Sequence, residues 1–136
     1  MAQKRGMREE REIVNWLESA GFMACRVTGS GAGSKRPRPD ILAGDGVNQY
    51  GIEVKSSSKE YIHIDWEQID NLKRFCVGFG AVPLVCAKFT YERPYFMGLD
   101  KLDMTEGGNY SVKREYVKEY APCDLVGGLL SERKNL

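Results

Sequence analysis

Asp40 is followed thirteen positions later by Glu53-Val54-Lys55, a Pro-Asp…Glu-x-Lys pattern that puts two carboxylates and an amine within one short stretch. These are the residue types that metal-assisted hydrolysis of a phosphodiester requires. Mg²⁺ takes hard oxygen ligands in octahedral geometry and keeps several of its waters, so one or two carboxylates suffice to hold it against a phosphate. An ammonium group beside it can orient an attacking water, or offset the negative charge that develops on the phosphate. Asp40 and Glu53 are the candidate ligands and Lys55 the candidate assistant.

The elements that must position these groups can be read from patterning. Gln49 to Lys55 alternates as a strand, with Tyr50, Ile52 and Val54 on one face and Glu53 and Lys55 on the other, so carboxylate and amine point the same way. Gly51, on the second face, leaves room for backbone or ligand to approach. Pro39 to Gly44 reads as a neighbouring strand ended by Gly44-Asp45-Gly46, and the short link to Gln49 predicts a hairpin that sets Asp40 beside Glu53. Two acids and a lysine also arise by chance on solvated hairpins, so the surrounding chain has to carry part of the argument.

From about Arg8 to Ala20 the spacing of Ile13, Val14, Leu17 and Ala20 predicts an amphipathic helix. Glu10 falls on its inward side, three before Ile13 and four before Val14. A carboxylate there is costly without a partner such as a metal ion or an arginine, although an acid in a first turn also complements the helix dipole. Gly21 stops the helix, and Phe22 to Val27 predicts a strand. Thr28 to Pro39 is then a glycine-rich loop in which Lys35, Arg36 and Arg38 place three cations in four residues directly before Asp40. Glycines and hydroxyls permit close approach to a phosphate chain, and the cations supply sequence-independent attraction to DNA.

Glu10-Arg11-Glu12-Ile13-Val14, Gly21-Phe22…Arg26, Gly29-Ser30-Gly31, Pro39-Asp40-Ile41-Leu42-Ala43-Gly44, Ile52-Glu53-Val54-Lys55 and Phe79-Gly80-Ala81 together resemble, in order and spacing, the archaeal Holliday junction resolvases of the Hjc and Hje group. The likeness extends over roughly the first ninety residues. It implies a restriction-endonuclease-like fold of the PD-(D/E)xK superfamily, a homodimer that binds four-way junction DNA, and symmetric cutting of two strands with Mg²⁺, for which Mn²⁺ would substitute. It further implies Glu10, Asp40 and Glu53 as metal-site acids with the Val54 main-chain carbonyl, Lys55 as the catalytic lysine, and Ser30 as an active-site serine. Arg11 and Arg26 match positions associated with DNA contact.

The rest of the chain predicts one α/β domain over 1–136, with a core of about 4–100 and a tail of about 101–136 that covers the core or contributes to a dimer surface. Tyr61 to Ile64 continues as a strand. Asp65, with Gln68 three residues on, is a capping start for a helix through about Phe79, whose stripe is Trp66, Ile69, Leu72, Cys76 and Phe79, with Gly78 and Gly80 as stops. Val82 to Phe89 is a nearly continuous apolar run, expected as a strand buried on both faces, and Tyr95 to Leu99 another. A mixed central sheet flanked by helices follows. Beyond Asp100 only a turn-rich loop and a short helix over 124–132 are legible.

The net charge is +1, so attraction to DNA has to come from distribution: Lys4, Arg5, Arg8, Arg11, Arg26, Lys35, Arg36 and Arg38 all precede Asp40. Cys25, Cys76, Cys86 and Cys123 are scattered without paired-thiol spacing, which argues for reduced thiols, against a zinc site, and for a cytoplasmic setting. No signal peptide or membrane-spanning run is visible. His63, the only histidine, is expected in a surface or structural role. A twofold dimer matches the symmetry of a four-way junction and can select it by reading phosphates on two arms. Phe75 and Phe79, one turn apart, are the candidate dimer contact. Two other functions stay open, a restriction-like or repair nuclease on duplex or flapped DNA and a non-catalytic junction-binding module.

Overall fold

Ile13 and Leu17 lie one turn apart and are both almost wholly buried, which seats helix α1 (Ala2–Ser19) on one face of a sheet. The structure is a computed structural model that describes residues 2–27 and 36–118. The helix begins well ahead of the expected Arg8, in a polar stretch with no apolar period to announce it.

The sheet has five strands in the order β1 (Met23–Arg26), β2 (Ile41–Gly44), β3 (Gln49–Ser57), β5 (Val82–Phe89) and β6 (Tyr95–Gly98). Only β3 and β5 run parallel; the other three pairings are antiparallel, so the sheet is mixed as expected. β2 and β3 form the predicted hairpin. Its turn is closed by Asp45, whose Oδ1 accepts the N–H groups of Val47 and Asn48 at 3.0 and 2.7 Å, and by Gly46 at φ 94.

Both faces of the sheet are covered. Ile13, Leu17, Phe22, Ile41, Tyr50, Ile52, Leu84 and Cys86 pack on the α1 side. On the opposite side, Val85, Ala87 and Phe89 pack with Ile62, Ile64, Ile69 and Val112. β5 therefore buries alternate residues into two cores, which is why it reads as one unbroken apolar run.

β4 (Tyr61–Ile64) connects β3 to helix α2 (Trp66–Phe79), which crosses back to β5. The sheet meets α2 closely at Gly51, where a Cβ would lie 2.6 Å from Cys76 Sγ. The room expected there for a ligand is taken by this thiol. Gly80 ends α2 in the left-handed conformation at φ 89 and donates its N–H to the Cys76 carbonyl, whereas Gly78 lies inside the helix.

Three further expectations are corrected. β4 does not join the main sheet; it pairs with β8 (Tyr110–Lys113) in a second sheet of order β4-β8-β7, where β7 is Asp103–Met104. A short helix α3 (Arg114–Lys118) follows. Asp65 is the N-cap of α2 but its side chain makes no capping bond, because Oδ1 faces His63 Nε2 at 3.1 Å and the Asn109 side chain accepts the Trp66 N–H instead, at 2.9 Å. Of the expected α2 stripe, Ile69, Leu72 and Cys76 are buried, while Trp66 and Phe79 at its two ends are half exposed. The helix predicted over 124–132, Ser30, Lys35 and Cys123 lie outside the described residues.

Candidate active site

The register of β2 against β3 pairs Ile41 with Ile52, so one step further Asp40 stands opposite Glu53. Asp40 is pinned there from both neighbours. Its carbonyl accepts the Val27 N–H at 2.9 Å and its N–H donates to the Ile52 carbonyl at 2.9 Å. Its side chain then replaces the strand where β2 has ended, Oδ2 accepting the Val54 N–H at 2.8 Å. A carboxylate so fixed cannot swing away when it loses a ligand. Val54 follows Ile52 by two residues, so its carbonyl faces the same edge as the Asp40 carboxylate.

Glu53 and Asp40 are two carboxyls brought close together by the register, and their proximity raises the Glu53 carboxyl. Burial pushes the Glu53 carboxyl up to about 8, with the Asp40 charge adding to the rise, the Lys55 ammonium opposing it, and the Asp40 hydrogen bond and Glu10 charge contributing further. Glu10 is likewise raised by burial; the hydrogen bond from Arg26 pulls the other way, and the Asp40 charge again raises it. Arg26 Nε donates to Glu10 Oε1 at 3.0 Å in a half-buried pair. Glu10, Asp40, Glu53 and Lys55 thus act on one another electrostatically although α1, β2 and β3 contribute them separately.

Oxygen-only donors, one of them a carboxyl whose charge is disfavoured without a cation beside it, suit a hard divalent cation. Among the described residues no three carboxylates, thiols or imidazoles stand as a ready-made cage. The bonds just described account for this: Glu10 is turned onto Arg26 and Asp40 onto the Val54 N–H. Sequence reasoning required a partner for an inward Glu10 and left metal and arginine open. The structure gives it Arg26, and the alternation of β1 that turns Arg26 to the same side as Ala24 was the signal available.

The DNA-contact candidates are spread around this cluster. Arg11 is exposed on α1 and lines a surface concavity of about 340 Å³ with Met7, Arg8, Glu12 and Asn15. Arg36 is exposed and Arg38 half-buried. Phe75 and Phe79 stack on each other, ring centroids 5.2 Å apart and 19° from parallel, so the pair is internally satisfied while Phe79 remains 51 % exposed. Phe79 also borders an apolar concavity of about 410 Å³ with Met23, Cys25, Leu42 and Gln49.

The raised Glu53 carboxyl has a consequence for stability that is independent of catalysis. Unfolded, Glu53 releases its proton near 4.5; folded and metal-free, it keeps it to about 8. Between those values the folded state binds more protons, so stability falls as pH rises through the window and the penalty is absent below it. Glu53→Gln in EDTA is expected to raise the unfolding free energy at pH 8 by on the order of 1–3 kcal/mol and to change it little at pH 5. That figure is kept below the full 1.36 kcal/mol per unit because the carboxyl is partly open to water. Equal shifts at both pH values in thermal unfolding would show that Glu53 is not protonated in the fold.

Three comparisons bear on identity. The profile of the family described as "Archaeal holliday junction resolvase (hjc)" matches residues 1–132, well past the first ninety, so the tail shares the family's sequence pattern as well. The chain is 36 % identical over 131 residues to the crossover junction endodeoxyribonuclease Hjc of Archaeoglobus fulgidus, covering 96 % of each protein. It is 34 % identical over 118 residues to that of Sulfurisphaera tokodaii, covering 86 % of this chain and 81 % of the relative. The solved structure of Archaeoglobus fulgidus Hjc, titled a Holliday junction resolvase from an archaeal hyperthermophile, superimposes with a TM-score of 0.79 at 32 % identity, covering 89 % of this chain and 98 % of that one.

Proposed function

This chain belongs to the archaeal Holliday junction resolvase family, and we propose that it is a crossover junction endodeoxyribonuclease, a single nuclease domain that binds four-way DNA junctions as a homodimer and resolves them by paired symmetric nicks. The observation that carries the catalytic reading is the Asp40–Glu53 carboxyl pair, brought together by strand register with Asp40 held by the Val54 N–H, and with Lys55 two residues along the same strand.

Glu10, Asp40, Glu53 and the Val54 main-chain carbonyl would hold Mg²⁺, with Mn²⁺ as a substitute; when bound, the ion supplies charge neutralisation at the scissile phosphate. The remaining roles belong to the chain itself. The Val54 N–H and the backbone of β1 and β3 keep Asp40 aimed. Lys55 orients the attacking water or donates to a phosphate oxygen as charge builds there. Arg26 holds Glu10 in place and retains further N–H groups for a phosphate. Ser30 contacts phosphate or water, and a covalent role is disfavoured because the cluster offers it no base other than a carboxylate. Arg11, Lys35, Arg36 and Arg38 bind phosphates and position the duplex arms without reading bases.

Dimerisation is assigned to the end of α2 that carries the stacked Phe75 and Phe79, where Phe79 is half exposed and borders an apolar concavity with Met23. A twofold arrangement brings two copies of the carboxylate cluster to two strands of the junction. Among the described residues no helix is long and apolar enough to cross a membrane, and a DNA substrate places the enzyme in the cytoplasm.

Purified protein with Mg²⁺ and a synthetic four-way junction is expected to give two symmetric nicks and to sediment as a dimer. A matched linear duplex should be cut at least about tenfold more slowly, the lower end of the discrimination that extra substrate contacts provide. Equal rates on the two substrates would reassign the chain to a duplex or flap nuclease.

A further inference from the structure

Away from the carboxylate cluster, one residue is held in a conformation that its own chemistry disfavours. Tyr91, in the turn between β5 and β6, has φ 68 and is the one non-glycine residue of positive φ among the described residues. It is also 98 % exposed. A bulky residue in the left-handed region is strained and persists only where the surroundings impose it.

Here they do. The Thr90 N–H and hydroxyl both donate to the Ser57 carbonyl, at 3.0 and 3.4 Å, and the Glu92 N–H donates to the Phe89 carbonyl at 3.0 Å. From the first residue of α3, Arg114 Nη2 donates to the Thr90 carbonyl at 2.5 Å and reaches Glu92 Oε1 at 3.5 Å, with the guanidinium 5.8 Å from the Phe89 ring centroid. The Arg114 side chain is 13 % exposed, and its Nε is buried without a hydrogen-bond partner among the described residues. The fold thus commits a mostly buried arginine to a turn that glycine or asparagine would form with less strain, and the ring it presents lies in solvent.

The turn stands at the site's end of the sheet. β3 and β5 run parallel with Glu53 opposite Val85 and Ser57 opposite Phe89, so the turn follows β5 past the end toward which Glu53 and Lys55 lead. Tyr91 is six residue steps beyond Val85, the partner of Glu53, so at no more than about 3.3 Å per step its backbone lies within about 20 Å of Val85. Arg93, two residues beyond Tyr91, and Lys59, two residues beyond the Ser57 that pairs with Phe89, are exposed cations at the same end of the two strands.

An exposed aromatic ring, with cations at the same end of the sheet, is the side-chain chemistry that takes up a nucleobase, and a base–aromatic stack is sequence-tolerant because every base has a π-face. Inside a duplex both faces of each base are already covered. At a branch point they are not. We propose that Tyr91 stacks on a base that has lost a stacking neighbour at the branch point of the DNA, and that this contact contributes to the choice of junction over duplex. The proposal rests on the junction reading above.

Tyr91→Asn removes the ring with a residue that tolerates positive φ, and Tyr91→Phe keeps the ring; neither is expected to lower the melting temperature. With Ca²⁺ in place of Mg²⁺ to prevent cleavage, Tyr91→Asn should weaken junction binding by about tenfold, within the range for losing one stacked base, and leave duplex binding unchanged. Tyr91→Phe should match the parent on both. A 2-aminopurine at the branch point should be quenched by the parent and by Tyr91→Phe but not by Tyr91→Asn. If the parent prefers junction and Tyr91→Asn keeps that preference, or loses duplex affinity equally, the stacking role is overturned alone. If the parent shows no preference, the junction reading fails first and the role of Tyr91 falls with it.

Discussion

Asp40→Asn and Glu53→Gln are each expected to lower junction cleavage by about three orders of magnitude or more, while junction binding changes by less than about threefold; losing several kcal/mol of charge stabilisation at the phosphate corresponds to that rate. The isosteric amides are the informative substitutions. An asparagine oxygen at position 40 can still accept the Val54 N–H that ties β2 to β3. A glutamine at position 53 can still bond to Asp40. Lost activity then reports lost ligand charge and not a disturbed strand end. Because the two carboxyls act as a unit, the double substitution should fall little below either single one. Single-turnover cleavage under saturating protein separates chemistry from binding, and a rate within about threefold of the parent in either variant would remove that residue from the metal site.

The parts of this cluster were legible in unequal measure. Pro-Asp and Glu-x-Lys are local patterns, and the strands around them alternate clearly, so the hairpin and the pairing of Asp40 with Glu53 could be read from spacing alone. β4 and β5 begin and end where the patterning puts them. The raised Glu53 carboxyl was not legible. It depends on a register that brings two carboxyls face to face and on burial by elements far away in sequence, neither of which a spacing encodes. Arg26 was read as a contact to DNA through family resemblance, and its bond to Glu10 emerged only when α1 was laid across β1. Gly51 shows the same limit: the sequence says that a side chain is missing, and only the packing of α2 says that Cys76 fills the gap.

The second sheet was missed for another reason. Tyr110-Ser111-Val112-Lys113 alternates over four residues only, directly after a run of glycine and turn residues that dominates any reading of the region. Short strands of this kind gain their stability from a partner. β8 has one on each side in β4 and β7, and Val112 is buried with Ile62 and Ile64. The same segment leads into Arg114, so the part of the chain least readable from pattern is the part that braces the β5–β6 turn.

Replacing Lys35, Arg36 and Arg38 together with alanine is the second large effect, and it should appear in binding where the carboxylate substitutions do not. Each phosphate contact contributes about 0.9 to the slope of log affinity against log salt, and at about 0.1 M salt each is worth close to one decade through released counterions. Three contacts set the ceiling. Arg38 is half-buried and bonded within the fold, so part of its charge is already engaged. The slope is therefore expected to fall by about two and junction affinity at about 0.1 M salt by about 10²-fold. Duplex affinity should fall in parallel, because these cations meet phosphates and not base edges. As salt rises the variant and parent should converge, and cleavage at saturating protein should stay near the parent rate, since Asp40, Glu53 and Lys55 are untouched. Salt titrations with parallel slopes would place the loop outside the interface and leave Arg8 and Arg11 to account for the attraction to DNA.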